Sequence, residues 1–145
     1  MTSVEIRVLH EWDEGVLANV ADDVFDDPID VKSTQKFLSD PRHHLVVALD
    51  EGIVVGFASG VHYFHPDKRA PELFVNEVGV APSHQGRGIA KRILATLFEA
   101  GREAGCTQAW VLTERENAAA MRLYEAAGGE EERAVPVMFS FAIPG

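Results

Sequence analysis

The apolar and polar residues of Val4-Glu5-Ile6-Arg7-Val8-Leu9 alternate with a period of two, so the chain opens on a half-buried strand. From Trp12 to Phe25 the apolar positions Trp12, Val16, Val20 and Val24 recur every four residues, which predicts a helix with one buried face. Asp26-Asp27-Pro28-Ile29-Asp30 ends it, because the ring of Pro28 cannot continue a helix. A second short helix is expected from Val31 to Leu38, stopping before Asp40-Pro41. His44 to Leu49 is apolar and β-branched, and Asp50-Glu51-Gly52 turns it into Ile53 to Tyr63, as in a hairpin. The stretch from His65 to Pro71 carries two prolines and several charges and predicts a loop.

Leu73 to Val80 forms the next strand, and Ala81-Pro82-Ser83-His84 stops it. Ile89, Ile93, Leu94, Leu97 and Phe98 then fall at helical spacing over Ile89 to Gly101. Ala109 to Thr113 predicts another buried strand, Asn117 to Ala127 a helix closed by Gly128-Gly129, and Val135 to Ile143 a last strand. Strands alternating with helices in this order imply an α/β chain with a mixed sheet and helices packed on it. The 145 residues suit a single domain, with no internal repeat or linker.

Composition narrows the function classes. A hydrophobic content of 46% with mean hydropathy near zero fits a globular chain, and no run approaches the ~20 apolar residues of a bilayer crossing. The first residues show no basic-then-apolar leader, and the single cysteine, Cys106, fits a reducing compartment, so a cytoplasmic location is expected. The formal net charge of −10 argues against nucleic acid, which needs a basic footprint, and suits a cationic substrate. No metal-ligating set stands out, and neither a membrane nor nucleic acid is expected as a partner.

The chemistry concentrates at Gln85-Gly86-Arg87-Gly88-Ile89-Ala90, between a strand and a helix. Gly86 and Gly88 let the backbone turn tightly and approach a ligand, and the first helical turn presents unpaired N–H groups at the positive end of its dipole. Together they suit an anion such as a pyrophosphate, with Arg87 adding charge. The dinucleotide pattern Gly-x-Gly-x-x-Gly fails at Lys91, and no Gly-Lys-Ser/Thr follows to make a P-loop.

Read as a whole, Val78-Gly79-Val80-Ala81-Pro82-Ser83-His84-Gln85-Gly86-Arg87-Gly88-Ile89-Ala90 resembles the acetyl-CoA motif of the GCN5-related N-acetyltransferase (GNAT) superfamily. A second segment, Asn117-Ala118-Ala119-Ala120-Met121-Arg122-Leu123-Tyr124-Glu125-Ala126-Ala127-Gly128, resembles the family's later motif, although Gly129 stands where an aromatic residue is usual. The resemblance implies a mostly antiparallel central sheet splayed between its fourth and fifth strands, with helices on both faces. It also implies acetyl-CoA as co-substrate and direct transfer to a primary amine in a ternary complex.

Carried over residue by residue, the resemblance gives cofactor contacts to Val78, Gly79 and Val80, to Gln85, Gly86, Arg87, Gly88, Ile89 and Ala90, and to Asn117, whose capping of a helix would explain it equally well. A main-chain N–H near Val78 is the expected oxyanion donor. Tyr124 matches the general acid, and Glu77 is the candidate base for the amine, a role in which partial burial would raise its pKa; Glu114 and His84 are the reserves. The acidic segment from Asp22 to Asp30, with Asp26, Asp27 and Asp30 as candidate substrate ligands, suits a polycationic acceptor. Phe25-Asp26-Asp27-Pro28, Glu72 to Val80, and Val137-Met138-Phe139-Ser140-Phe141 partly resemble the aminoglycoside 3-N-acetyltransferase branch. A small cationic acceptor, a peptide or protein amine, and a non-catalytic acyl-CoA sensor are the competing readings. Val135–Ile143 fits a homodimer interface and the monomer's own core equally.

Overall fold

The computed structural model describes residues 3–132 and 134–145. One five-stranded sheet runs in the order β1 (Glu5–Leu9), β2 (His43–Asp50), β3 (Ile53–His65), β4 (Lys68–Val80), β5 (Ala109–Val111). Strands β1 to β4 are antiparallel neighbours, whereas β4 and β5 are parallel. Three α-helices accompany them: α1 (Val31–Ser39), α2 (Ile89–Glu103) and α3 (Ala118–Ala126). This is the mixed sheet that the alternation of elements implied.

The hairpin between β2 and β3 closes through Glu51 and Gly52, both at positive φ (50° and 79°), as the right-handed twist of paired strands demands. Successive residues of β3 point to opposite faces. Gly56, Ala58 and Gly60 face α2, and a Cβ on Gly56 would lie 3.1 Å from Ile93 Cδ1. The small residues therefore let α2 come close, and Ile93, Leu94 and Leu97 are fully buried there. Phe57 points to the other face and stacks on Phe25 at 3.9 Å between ring centres. Helix α1 covers that same face, Phe37 stacking on His43 of β2. Helices thus lie on both faces, and the core of Val46, Val47, Val54, Leu73 and Val75 is sealed from both sides.

Four expectations from the sequence do not hold. Residues 12–25 are no α-helix: only Glu14–Ala18 winds, as a single 3-10 turn, and Trp12 is exposed at φ 78°. The cause is the sheet. Beyond Gly56, β3 has lost β4 as a neighbour, so Val54 N–H donates to the Asn19 carbonyl and Ala21 N–H to the Val54 carbonyl, both at 2.9 Å. Backbone that completes a strand edge cannot also close helical bonds. The expected loop from His65 to Pro71 is mostly strand, since His65 pairs with Lys68 across a tight turn and Pro71 falls at a ladder irregularity. The strand expected over Ala109 to Thr113 is shorter, and Ala109 and Trp110 are exposed, because β5 is an edge. Residues 135–143 form no strand at all, and Val135, Val137, Phe139, Phe141 and Ile143 are exposed. Among the described residues no helix is long and apolar enough to cross a membrane.

Candidate active site at the splay of the sheet

Strand β5 pairs with β4 only over Leu73, Phe74 and Val75. Beyond that, β4 continues through Asn76, Glu77, Val78, Gly79 and Val80 with β3 on one side and no strand on the other. The main chain of those residues therefore offers an unfilled edge, where every second N–H and C=O awaits a partner. This splay is the architectural feature on which everything else converges.

At the far end of that edge the chain passes a 3-10 turn, Pro82–His84, and reaches the glycine loop. Gly86 and Gly88 both sit at φ 76°, in the left-handed region, and a Cβ at either would meet nothing within 4 Å. Backbone conformation, not crowding, selects glycine here. Gly88 caps α2, whose first turn holds no acidic residue, so its free N–H groups face no competing carboxylate. Side chains pin the loop: Gln85 Nε2 donates to the Val80 carbonyl at 3.0 Å, and His84 bridges Asp50 Oδ2 and Ser83 Oγ at 2.7 Å each. Arg87 is exposed beside the cradle. The loop fits a bound pyrophosphate by donor set and charge, and the free edge of β4 leads away from it.

At the near end lies a pocket of about 260 Å³ lined by Val24, Asp26, Phe57, Asn76, Glu77, Val78, Val111, Leu112 and Tyr124. Five segments remote in sequence meet there. The acidic segment is brought in by a close backbone crossing: a Cβ on Gly79 would stand 2.5 Å from the Val24 carbonyl oxygen. Only glycine at 79 lets residues 24–26 lie on β4. Ser59, buried and opposite Glu77 in the register, donates to Glu77 Oε1 at 3.4 Å, while Glu77 itself is exposed. Tyr124 comes from α3, and burial raises its phenol pKa, so the hydroxyl is fully protonated at neutral pH. Among the described residues nothing accepts a hydrogen bond from that hydroxyl, which leaves it free for a ligand.

The remaining candidates separate from this pocket. Asp30 caps α1, and the hydrogen bonds that its Oδ2 accepts from the Ser33 hydroxyl and, at 2.9 Å, from Ser33 N hold its pKa below the usual carboxylate range. Asp27 is exposed and lines no part of the pocket. Asn117 Oδ1 caps α3 by accepting from Ala120 N at 3.0 Å. Glu114 is exposed on the loop before that helix, and His84 is occupied at the glycine loop. Asn76, Phe57, Ser59 and Leu112 were not foreseen as site residues. The hairpin register would have revealed Ser59, since it sets that residue opposite Glu77. Among the described residues no group of three or more His, Cys, Asp or Glu is placed to hold a metal ion.

Comparison with known proteins agrees with this geometry. The N-alpha-acetyltransferase RimI of Mycobacterium tuberculosis is 36% identical over 72% of this chain and 63% of its own length. The aminoglycoside N(6′)-acetyltransferase type 1 of Salmonella typhimurium is 29% identical over 61% of this chain, and the match again spans 63% of the relative. A solved aminoglycoside acetyltransferase of the 6′ type, in complex with a bisubstrate analogue of CoA and acetylneamine, superposes with a TM-score of 0.78 at 21% identity. That comparison covers 97% of this chain and 100% of the other, and it shows a shared fold. The aminoglycoside relatives whose names give a position are of the 6′ type, not of the 3-N branch that the sequence partly resembles. Residues 8–128 match the Acetyltransferase (GNAT) family, and the chain, with its splayed sheet and glycine loop, belongs to that family.

Proposed function

We propose that this protein transfers the acetyl group of acetyl-CoA directly to a primary amine of a small cationic acceptor, with an aminoglycoside as the leading candidate. One observation carries the reading. The unfilled edge of β4 leads from the short turn before the glycine loop at Gln85–Ala90 to a pocket holding Asp26, Glu77 and Tyr124. A long ligand with a phosphate end and a reactive end fits that path, its amides pairing with the strand edge much as an added strand would.

Each group has a task at the pocket end. Acetyl-CoA supplies the thioester when bound. The N–H groups of the β4 edge near Val78 hold the carbonyl oxygen as negative charge builds on it. Glu77 takes the proton that the acceptor's ammonium must lose, directly or through water. Tyr124, protonated at neutral pH, donates to the departing sulfur. Asp26, which also lines the pocket, holds the acceptor's remaining positive charge.

A second reading, acetylation of a peptide or protein amine, is favoured by the 36% identity to an N-alpha-acetyltransferase. Thiol release measured across aminoglycosides, polyamines and peptides separates the two. Turnover with an aminoglycoside supports the first, and turnover with peptides alone transfers the proposal to the second. In either case Tyr124→Phe lowers kcat by about 10²-fold with CoA affinity kept. An unchanged kcat removes Tyr124 from the mechanism.

A further inference from the structure

Ser59 is out of character with its surroundings. It stands in β3 at 5% exposure, opposite Leu45 of β2 on one side and Glu77 of β4 on the other. Among the described residues the one other buried polar side chain is His62, which is accounted for by its bond to His44. A hydroxyl buried without a partner is costly, and an alanine would fill the same place without that cost. Among the described residues Ser59 makes one side-chain hydrogen bond, and it goes to Glu77 Oε1 at 3.4 Å.

Glu77 lacks any other restraint. In the register Ser59 opposes Glu77 while Gly60 opposes Val75, so Asn76 is an extra residue and β4 bulges there. Asn76 and Glu77, consecutive in the chain, both line the pocket with Asp26 and Tyr124. Glu77 is exposed, and among the described residues no lysine or arginine pairs with it and no group besides Ser59 donates to it. A glutamate left free rotates about three side-chain bonds, whereas a base must stay within about 3 Å of the group it deprotonates.

We propose that Ser59 is a positioning residue, whose buried hydroxyl holds Glu77 Oε1 and so leaves Oε2 aimed at the acceptor's ammonium. The anchor is firm because the main chain of Ser59 is paired on both sides, to β2 and to β4. The serine keeps its own proton throughout, and Oε2 takes the one that the ammonium loses. The catalytic consequence rests on Glu77 being the base of the proposed reaction; the restraint on its side chain does not.

NMR side-chain couplings and methylene relaxation of Glu77, recorded without acceptor, test the restraint. One ordered rotamer is expected in the wild type and averaging in Ser59→Ala. Averaging already in the wild type, or an unchanged rotamer in Ser59→Ala, overturns the proposal whatever amine the protein acetylates. In turnover at neutral pH, Ser59→Ala should lower kcat by roughly 5- to 10-fold while CoA affinity and the melt are kept. That deficit should shrink as the pH rises toward the acceptor amine's own pKa, where the amine arrives already deprotonated. A packing defect would persist at every pH, and a constant deficit therefore counts against Ser59. Glu77→Gln should lower kcat by about 10²-fold, and adding Ser59→Ala to it should cost nothing more. A full further loss in that background overturns the proposal, because Ser59 would then act through something else. If Glu77→Gln leaves kcat unchanged, Glu77 is not the base and the role of Ser59 falls with it. If Glu77→Gln lowers kcat and Ser59→Ala does not, Ser59 alone falls and the reading of Glu77 stands.

Discussion

Gly79→Ala tests the geometry that brings the acidic segment to the reacting end. The new Cβ would stand 2.5 Å from the Val24 carbonyl oxygen and 3.1 Å from Phe57 Cε1. Carbon and oxygen that are not bonded sit about 3.3–3.6 Å apart even in close contacts, so the backbone at Val24 must retreat by roughly 1 Å. Overpacking of this kind costs about 1–3 kcal/mol. For a chain of this length each kcal/mol moves Tm by about 3–5 °C, so a drop of roughly 3–15 °C is expected. The functional effect is the sharper signature. Val24 and Asp26 wall the pocket, and Phe25 stacks on Phe57, so retreat of this segment moves the acceptor's side of the site. A displacement near 1 Å at such a site costs up to about 10²-fold in rate. Calorimetry with CoA and acceptor kinetics, run beside a thermal melt, separate the two ends. The expected result is a lowered melt and an acceptor kcat/KM that falls more than CoA affinity does. An unchanged melt together with unchanged acceptor kinetics would show that Val24 does not lie on β4, and the construction of the pocket would fall with it.

Gly88→Ala has the opposite character: its Cβ meets nothing, but φ 76° is unfavourable for any other residue by about 1–2 kcal/mol. It should weaken CoA in a calorimetric titration while acceptor kinetics at saturating CoA stay close to wild type; equal CoA affinity would remove the left-handed turn from the binding loop. A third prediction concerns pH. Burial, reinforced by neighbouring His62 and His43, lowers the pKa of His44 to about 4, and its Nε2 lies 2.7 Å from His62 Nδ1, an arrangement that needs one ring nitrogen to donate and the other to accept. The unfolded state then binds the proton first, so stability is full above about pH 6.5 and falls as the pH drops toward about 4. The loss is at most about 3 kcal/mol, less for whatever part of the ring water still reaches. Melts across this range should show the slope in wild type and a shallower one in His44→Gln, and equal slopes would refute the assignment.

How much of this was legible in the sequence depends on what each element answers to. Strands β1 to β3 and helices α1 to α3 declared themselves by period and by local punctuation: Asp30 and Asn117 as caps, Glu51-Gly52 as a hairpin turn. Residues 12–25 misled because a four-residue apolar period was present while the edge of β3 claimed the backbone at Asn19 and Ala21. That vacancy on β3 exists only because β4 ends at Val80, a fact no local window contains. The tail misled in the other direction. Its alternation is real, but a strand needs a neighbour, and among the described residues it has none.

The two halves of the site differ in the same way. The proposed cofactor end is made of backbone: left-handed glycines, free amides at a helix start and an unpaired strand edge. Such a device is local, so sequence spacing reports it almost completely. The proposed acceptor end is made of side chains from five segments, residues 24–26, 57–59, 76–78, 111–112 and Tyr124, and their meeting depends on the hairpin register, the crossing at Gly79 and the splay of β5. Sequence reasoning named Glu77, Tyr124 and Asp26, which the pocket brings together, did not name Asn76, Phe57 and Leu112, which line it too, and offered as a substrate ligand Asp30, whose side chain caps a helix. A site assembled across long separations in the chain can change its acceptor by small changes in any one segment, while the backbone cradle for the donor stays fixed. It follows that relatives sharing the glycine loop can differ in the amine they acetylate, and that substitutions within residues 24–26 and 76–77 are where a change of acceptor should be sought first.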